Sequence, residues 1–258
     1  MKRLLVLLAA GAAACAPAAP PASTPSASAP SGSSPAAPAT ASEAAPAMPR
    51  DVHWFRNAAE QRAAFVQAYR LAGDQLRALS AGKTAGTWGV ILDADETVLD
   101  NSTYQKERAA IGAGFTNETW NAWVRRAAAP ALPGPPEFIR TVRERGGRVV
   151  IVTNRDEVVC PETRENLRRL QITVDGVLCK PEGPSDKNPR FQAVQRGTAV
   201  QGLPALEVLM WVGDNIGDFP GLTQAVRLQP ESAFERFGRT YIVLPNPMYG
   251  SWERNPMN

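Results

Sequence analysis

The chain has 258 residues, a formal net charge of +3 and a single histidine, His53. So small a positive surplus gives no electrostatic footprint for a nucleic-acid polymer, and any nucleotide ligand is expected to be a small molecule. One histidine excludes a paired-histidine mechanism and the usual multi-histidine zinc sites, and no cysteine stands six positions before an arginine, as a thiol phosphatase loop requires.

Lys2 and Arg3 precede a short apolar run over residues 4–14, the pattern of an export signal. The run is too short to span a bilayer, which takes about 20 apolar residues. It ends in Ala12-Ala13-Ala14-Cys15, which resembles a bacterial lipobox, with Ala12 where leucine is usual. The expectation is a signal over residues 1–15, a lipid anchor on Cys15 and an exported, outer-membrane lipoprotein facing the periplasm or the cell surface. The alternative is a soluble periplasmic protein cut after an Ala-x-Ala site. Over residues 16–49, 32 of 34 residues are Ala, Pro, Ser, Thr or Gly. Such a segment buries too little apolar surface to offset its ordering entropy, so residues 16–50 are expected to be a disordered tether and residues 51–258 the folded domain. His53 falls at the ragged start of that domain, where a surface or packing role is expected.

Helical apolar spacing without proline predicts a helix over residues 57–79. Short apolar runs predict strands over 88–92, 148–153, 174–178, 208–212 and 241–244. Helical stretches over 136–145, 163–170 and from Arg190 onward lie between them. Strands alternating with helices predict an α/β fold, an open parallel, Rossmann-like sheet with helices on both faces. About 55 residues separate Thr97 from Thr153, room for a small helical cap over 104–129, and the shorter gap from Arg155 to Lys187 leaves no room for a large one. In an oxidising compartment Cys160 and Cys179 can pair, the alternative being two separate buried thiols.

Four motifs fall at or near the ends of these strands, where open parallel sheets bind ligands. Asp93-Ala94-Asp95-Glu96-Thr97 follows the first strand, and two aspartates ending an apolar strand repel each other unless a cation neutralises them. That arrangement suits magnesium, a hard ion preferring carboxylate and carbonyl oxygens. Thr153-Asn154-Arg155 offers a hydroxyl and backbone N–H groups to a phosphate, or else a helix cap. Ser185-Asp186-Lys187-Asn188 is a polar turn whose lysine can balance phosphate charge. Gly213-Asp214-Asn215-Ile216-Gly217-Asp218 again ends an apolar strand in paired acids, with glycines that allow a tight backbone.

Taken in this order, the motifs resemble the series of the haloacid dehalogenase superfamily. Trp54 with Ala68-Tyr69, residues 92–104, Trp120-Asn121-Ala122-Trp123-Val124, and residues 152–155, 211–219 and 244–253 resemble the bacterial class C nonspecific acid phosphatases, the lipoprotein 5′-nucleotidase family. Ala94, where relatives carry a bulkier apolar residue, and the two later cysteines depart from that pattern. The resemblance implies a magnesium-dependent acid phosphatase acting on small phosphate monoesters, nucleoside 5′-monophosphates among them. Asp93 would be the nucleophile and Asp95 the proton donor and acceptor. The metal would sit between Asp93, the backbone carbonyl of Asp95, and Asp214. Thr153, Asn154 and Lys187 would hold the phosphoryl oxygens, and Asp218 would orient Lys187 or a metal-bound water. Tyr104, Trp120, Trp123, Tyr249 and Trp252 are candidates for the mouth of the site, and the resemblance favours Tyr104, Trp123 and Tyr249 as substrate-facing. A non-catalytic, ligand-binding or adhesive lipoprotein and a phosphotransferase on the same fold are the rival readings. The oligomeric state stays open, a dimer included.

Overall fold

A computed structural model of the chain describes residues 48–257. The expected signal over 1–15, Cys15 and nearly all of the tether lie outside the described residues. Among the described residues no helix is long and apolar enough to cross a membrane.

A short helix that the periodicity does not predict, α1 (Arg50–Asn57), precedes α2 (Ala59–Leu79), which is the helix predicted over residues 57–79. Ala58 separates them in an extended conformation, φ −78° and ψ 134°, which interrupts the hydrogen-bond ladder. Phe65, Tyr69, Ala72 and Leu76 of α2 are all buried. Their spacing of four, three and four residues is the stripe that a 3.6-residue turn points toward a core. His53 is exposed on α1, with Nδ1 3.3 Å from the Asn57 amide nitrogen, which agrees with a surface role.

Five strands follow, β1 (Trp88–Leu92), β2 (Arg148–Asp156), β3 (Gly176–Lys180), β4 (Glu207–Gly213) and β5 (Tyr241–Val243). They form one sheet in the order β3-β2-β1-β4-β5, and every pairing is parallel. β1 is central and buried along its whole length, which is why it reads as an unbroken apolar run and not as an alternation. Alternate residues feed two cores. Val90, Leu92, Val149, Ile151, Met210 and Val212 pack with α2, with α5 (Pro135–Glu144) and with α6 (Cys160–Arg169). Ile91, Val150, Val152 and Trp211 pack on the opposite face with α7 (Asn188–Arg196). The expected open sheet with helices on both faces is what forms.

The cap is a pair of short helices between β1 and β2, α3 (Ser102–Ala110) and α4 (Asn117–Arg125). Thr116 caps α4, its hydroxyl accepting from the Thr119 N–H at 3.2 Å. Cys160, the first residue of α6, is joined to Cys179 of β3 by a disulfide with Cα atoms 5.9 Å apart. The chain leaves β1 toward β2 on one side and reaches β4 on the other, so a crevice opens beyond the carboxyl ends of β1 and β4.

Candidate active site

Asp93 is the first residue past β1, and its N–H donates to the Val212 carbonyl of β4 at 2.9 Å. That bond joins the ends of two neighbouring strands, so Asp93 and Asp214, the first residue past β4, face the same crevice. Lys187, just before α7, places Nζ 2.6 Å from Asp93 Oδ1 and 2.6 Å from Asp218 Oδ1. Asp218 Oδ2 accepts from the Asn215 N–H at 2.8 Å, and Asn215 in turn caps the short turn that follows. A Cβ on Gly213 would lie 2.3 Å from Asp218 Oδ2, so only glycine lets the carboxylate fold back over the strand end. Asp214 Oδ2 accepts from the Asn246 amide at 2.8 Å.

Burial lifts the Asp93 carboxyl well above the usual carboxylate range, Lys187 opposes the rise, and Asp218 and Asp95 add to it. Asp214 is raised in the same way, by burial first and then by Asp218 and Asp93. Desolvation works to neutralise Lys187, yet Asp218 and Asp93 outweigh it and hold the ammonium charged. Oxygens of Asp93, Asp214 and Asp218 lie within 4.8 Å of one another. Two buried carboxyls and a half-buried one against one ammonium form a donor set that fits a hard divalent cation.

Asp95 faces a different set of partners. Its Oδ1 accepts from Arg155 Nε at 2.8 Å and from the Asn101 amide at 2.9 Å, and Thr153 Oγ1 is 3.5 Å from Oδ2. The Asp95 carboxylate thus shares no hydrogen-bond partner with the other three among the described residues. Its backbone carbonyl accepts no backbone hydrogen bond among the described residues. Arg155, Asn101 and Asn246 were not singled out as functional from the sequence. Arg155 stands inside the Thr153-Asn154-Arg155 motif, but most arginines are solvated, and nothing local marks one that is 1% exposed.

Thr153, Asn154 and Arg155 lie within β2, not in a turn after it, since the strand runs on to Asp156 with a register irregularity between Val152 and Asp156. The irregular end leaves Thr153 buried and Asn154 exposed. Arg190 of α7 donates to the Asn154 side-chain oxygen at 2.6 Å and to the Thr153 carbonyl, which ties this strand end to the lysine turn.

The aromatic expectations need correction. Tyr104 and Trp123 are 2% and 4% exposed and hold the cap together instead of lining a mouth. Each has its one polar atom satisfied internally, Tyr104 Oη 2.9 Å from Thr119 Oγ1 and Trp123 Nε1 donating to Asn101 Oδ1 at 2.8 Å. Their apolar area is better buried in the small cap than left at its rim. Tyr249 is partly exposed and packs on the edge of the core. Trp120 is also partly exposed, with the Arg155 guanidinium 5.8 Å from its ring centre and Tyr104 edge-on at 5.1 Å.

The family model described as HAD superfamily, subfamily IIIB (Acid phosphatase), matches residues 26–252. A solved structure of the class C acid phosphatase from Bacillus anthracis is similar at 30% identity and TM-score 0.69, over 79% of this chain and 85% of that chain. A second structure of that class C acid phosphatase, with tungstate bound, is 29% identical with the same coverage and TM-score. A parallel sheet with its acids gathered at two strand ends and a family match over most of the sequence lead to one conclusion: the chain belongs to subfamily IIIB of the HAD superfamily and is an acid phosphatase, a phosphoric monoester hydrolase.

Proposed function

We propose that the enzyme is magnesium-dependent, works through an aspartyl-phosphate on Asp93, and accepts nucleoside 5′-monophosphates among its substrates. The observation that carries the reading is the inequality of Asp93 and Asp95. Asp93 Oδ1 is held by Lys187 while Oδ2 has no protein partner among the described residues. Asp95 belongs to a separate network and keeps a side chain 14% exposed.

In the first step an oxygen of Asp93 attacks phosphorus, the bond from phosphorus to the leaving oxygen breaks, and Asp95 gives that oxygen a proton. In the second, Asp95 takes a proton from a water as the water attacks phosphorus, which frees Asp93 and releases phosphate. Lys187, the Thr153 hydroxyl and the Asn154 amide donate to the phosphoryl oxygens, where transition-state charge collects. Asp93, Asp214 and the Asp95 carbonyl would hold magnesium, which when bound supplies positive charge to offset the carboxylates and the phosphoryl group. Asp218 fixes Lys187 from behind.

Trp120, partly exposed and beside Arg155, favours substrates with an aromatic base, which stacks with about 1–3 kcal/mol per base. The Cys160–Cys179 disulfide supports an exported enzyme, since such bonds persist outside the cytoplasm. Labelled palmitate carried by the wild type and lost in Cys15→Ala would test the anchor.

The decisive experiment measures phosphate released from p-nitrophenyl phosphate. Turnover should need magnesium, stop with a chelator and vanish in Asp93→Asn, whereas robust turnover by that variant would overturn the mechanism. If nucleoside 5′-monophosphates are cleaved no better than aryl phosphates, and Trp120→Ala leaves their KM unchanged, the nucleotide preference is wrong.

A further inference from the structure

A buried arginine must have its charge and its planar set of donors satisfied, and each of the three guanidinium nitrogens of Arg155 has a partner outside the Asp93, Lys187 and Asp218 cluster. Its Nε donates to Asp95 Oδ1 at 2.8 Å, Nη1 to Thr163 Oγ1 at 3.3 Å and Nη2 to Asn101 Oδ1 at 3.0 Å, with Nη2 also 2.8 Å from Asp95 Oδ1. The partners come from three segments: the turn after β1, the residue before α3, and the first turns of α6. A rigid guanidinium pinned at three points has one available plane. Asn101 is itself fixed, because Trp123 donates to its Oδ1 and its own backbone N–H donates to Glu96 Oε1 at 2.7 Å.

We propose that Arg155 is a positioning residue: it fixes the direction in which Asp95 presents its proton to the leaving-group oxygen, through a buried clamp with Asn101 and Thr163. The inference rests on the reading of Asp95 as the proton donor. Oδ1 of Asp95 is filled by donors from Arg155 and Asn101, so the transferable proton resides on Oδ2, the oxygen nearer Thr153. A carboxyl turns about two single bonds, and without the clamp Oδ2 would sample directions that no longer face the substrate. Arg155 makes no hydrogen bond to Asp93, Lys187, Asp214 or Asp218 among the described residues, so the nucleophilic half of the site stands apart from it.

That separation allows a selective test. kcat/KM reports the steps up to leaving-group departure. p-Nitrophenolate departs readily without a proton, while an alkoxide needs one, so the ratio of kcat/KM for p-nitrophenyl phosphate to that for glycerol phosphate isolates proton delivery. The ratio is taken within one preparation of the full chain, so partial misfolding cancels. Asp95→Ala should raise it strongly. Arg155→Met and Arg155→Lys should raise it on the order of 10²-fold, the lysine being no rescue because an ammonium cannot reach three partners. Thr163→Val should move it in the same direction by less, and carries the test if Arg155→Met does not accumulate as folded protein. A ratio unchanged in the Arg155 variants, with Asp95→Ala selective, would overturn the positioning role. A flat Asp95→Ala would instead overturn the proton-donor reading beneath it.

Discussion

Lys187 and Asp93 form a buried ion pair, Nζ to Oδ1 at 2.6 Å, with 4% and 9% of their side chains exposed. The same ammonium meets Asp218 at an equal distance, so one cation holds two carboxylates from two different loops. Breaking a buried pair leaves an uncompensated charge, which is costlier than never having built it.

Lys187→Met should therefore abolish turnover and destabilise the metal-free protein by about 3–5 kcal/mol. In a domain of this size that is a fall in Tm on the order of 10 °C. Added magnesium should raise the Tm of the variant more than that of the wild type, because the variant has no other cation for its carboxylates. Thermal melts with and without the ion check both points, and a variant that melts with the wild type in the absence of metal would contradict them.

Gly213 and Gly217 should respond in opposite ways. A Cβ at Gly213 would meet Asp218 at 2.3 Å, so Gly213→Ala must displace the carboxylate that fixes Lys187. It should cost about 1–3 kcal/mol and lower kcat/KM sharply. At Gly217 the nearest atom is 3.6 Å from a Cβ, an ordinary contact, and Gly217→Ala should be tolerated. Denaturant unfolding and steady-state kinetics on the two variants give the comparison.

The disulfide closes a loop with a sequence separation of 19 and should contribute about 3 kcal/mol. A Cys160→Ser and Cys179→Ser double variant should melt lower than the oxidised wild type. A reductant should lower the wild-type Tm toward the double variant and leave the double variant unmoved.

Trp123→Phe removes an indole donor from Asn101 Oδ1, which still accepts from Arg155. The expected cost is about 1 kcal/mol of stability, with KM for every phosphate ester unchanged. A selective rise in KM for nucleotides would return Trp123 to the substrate mouth.

Much of the fold is legible in the sequence because its signals are local. A central parallel strand buried on both faces must be a continuous apolar run, and β1 and β4 read that way. Asp93, Asp95, Asp214 and Lys187 are found because they sit at the boundaries of such runs, where composition changes abruptly. The start of α2 after Ala58 has no proline, glycine or change of hydropathy to mark it, and β2 runs on to Asp156 past the fall in hydropathy that ends its apolar run at Val152.

The sequence by itself determined the order of the strands along the chain, the places where acids end them and the family that those acids imply. Only the tertiary structure decided which acid meets which partner. Lys187 reaches Asp93 across 94 positions and Arg155 reaches Asp95 across 60, separations that no local pattern encodes. Aromatic character likewise shows in the sequence, yet packing alone buried Tyr104 and Trp123 inside the cap and left part of Trp120 outside. The physical reason is the same in each case: local periodicity selects an element and its inward face, but the desolvation and pairing of a side chain depend on neighbours that arrive from elsewhere in the chain.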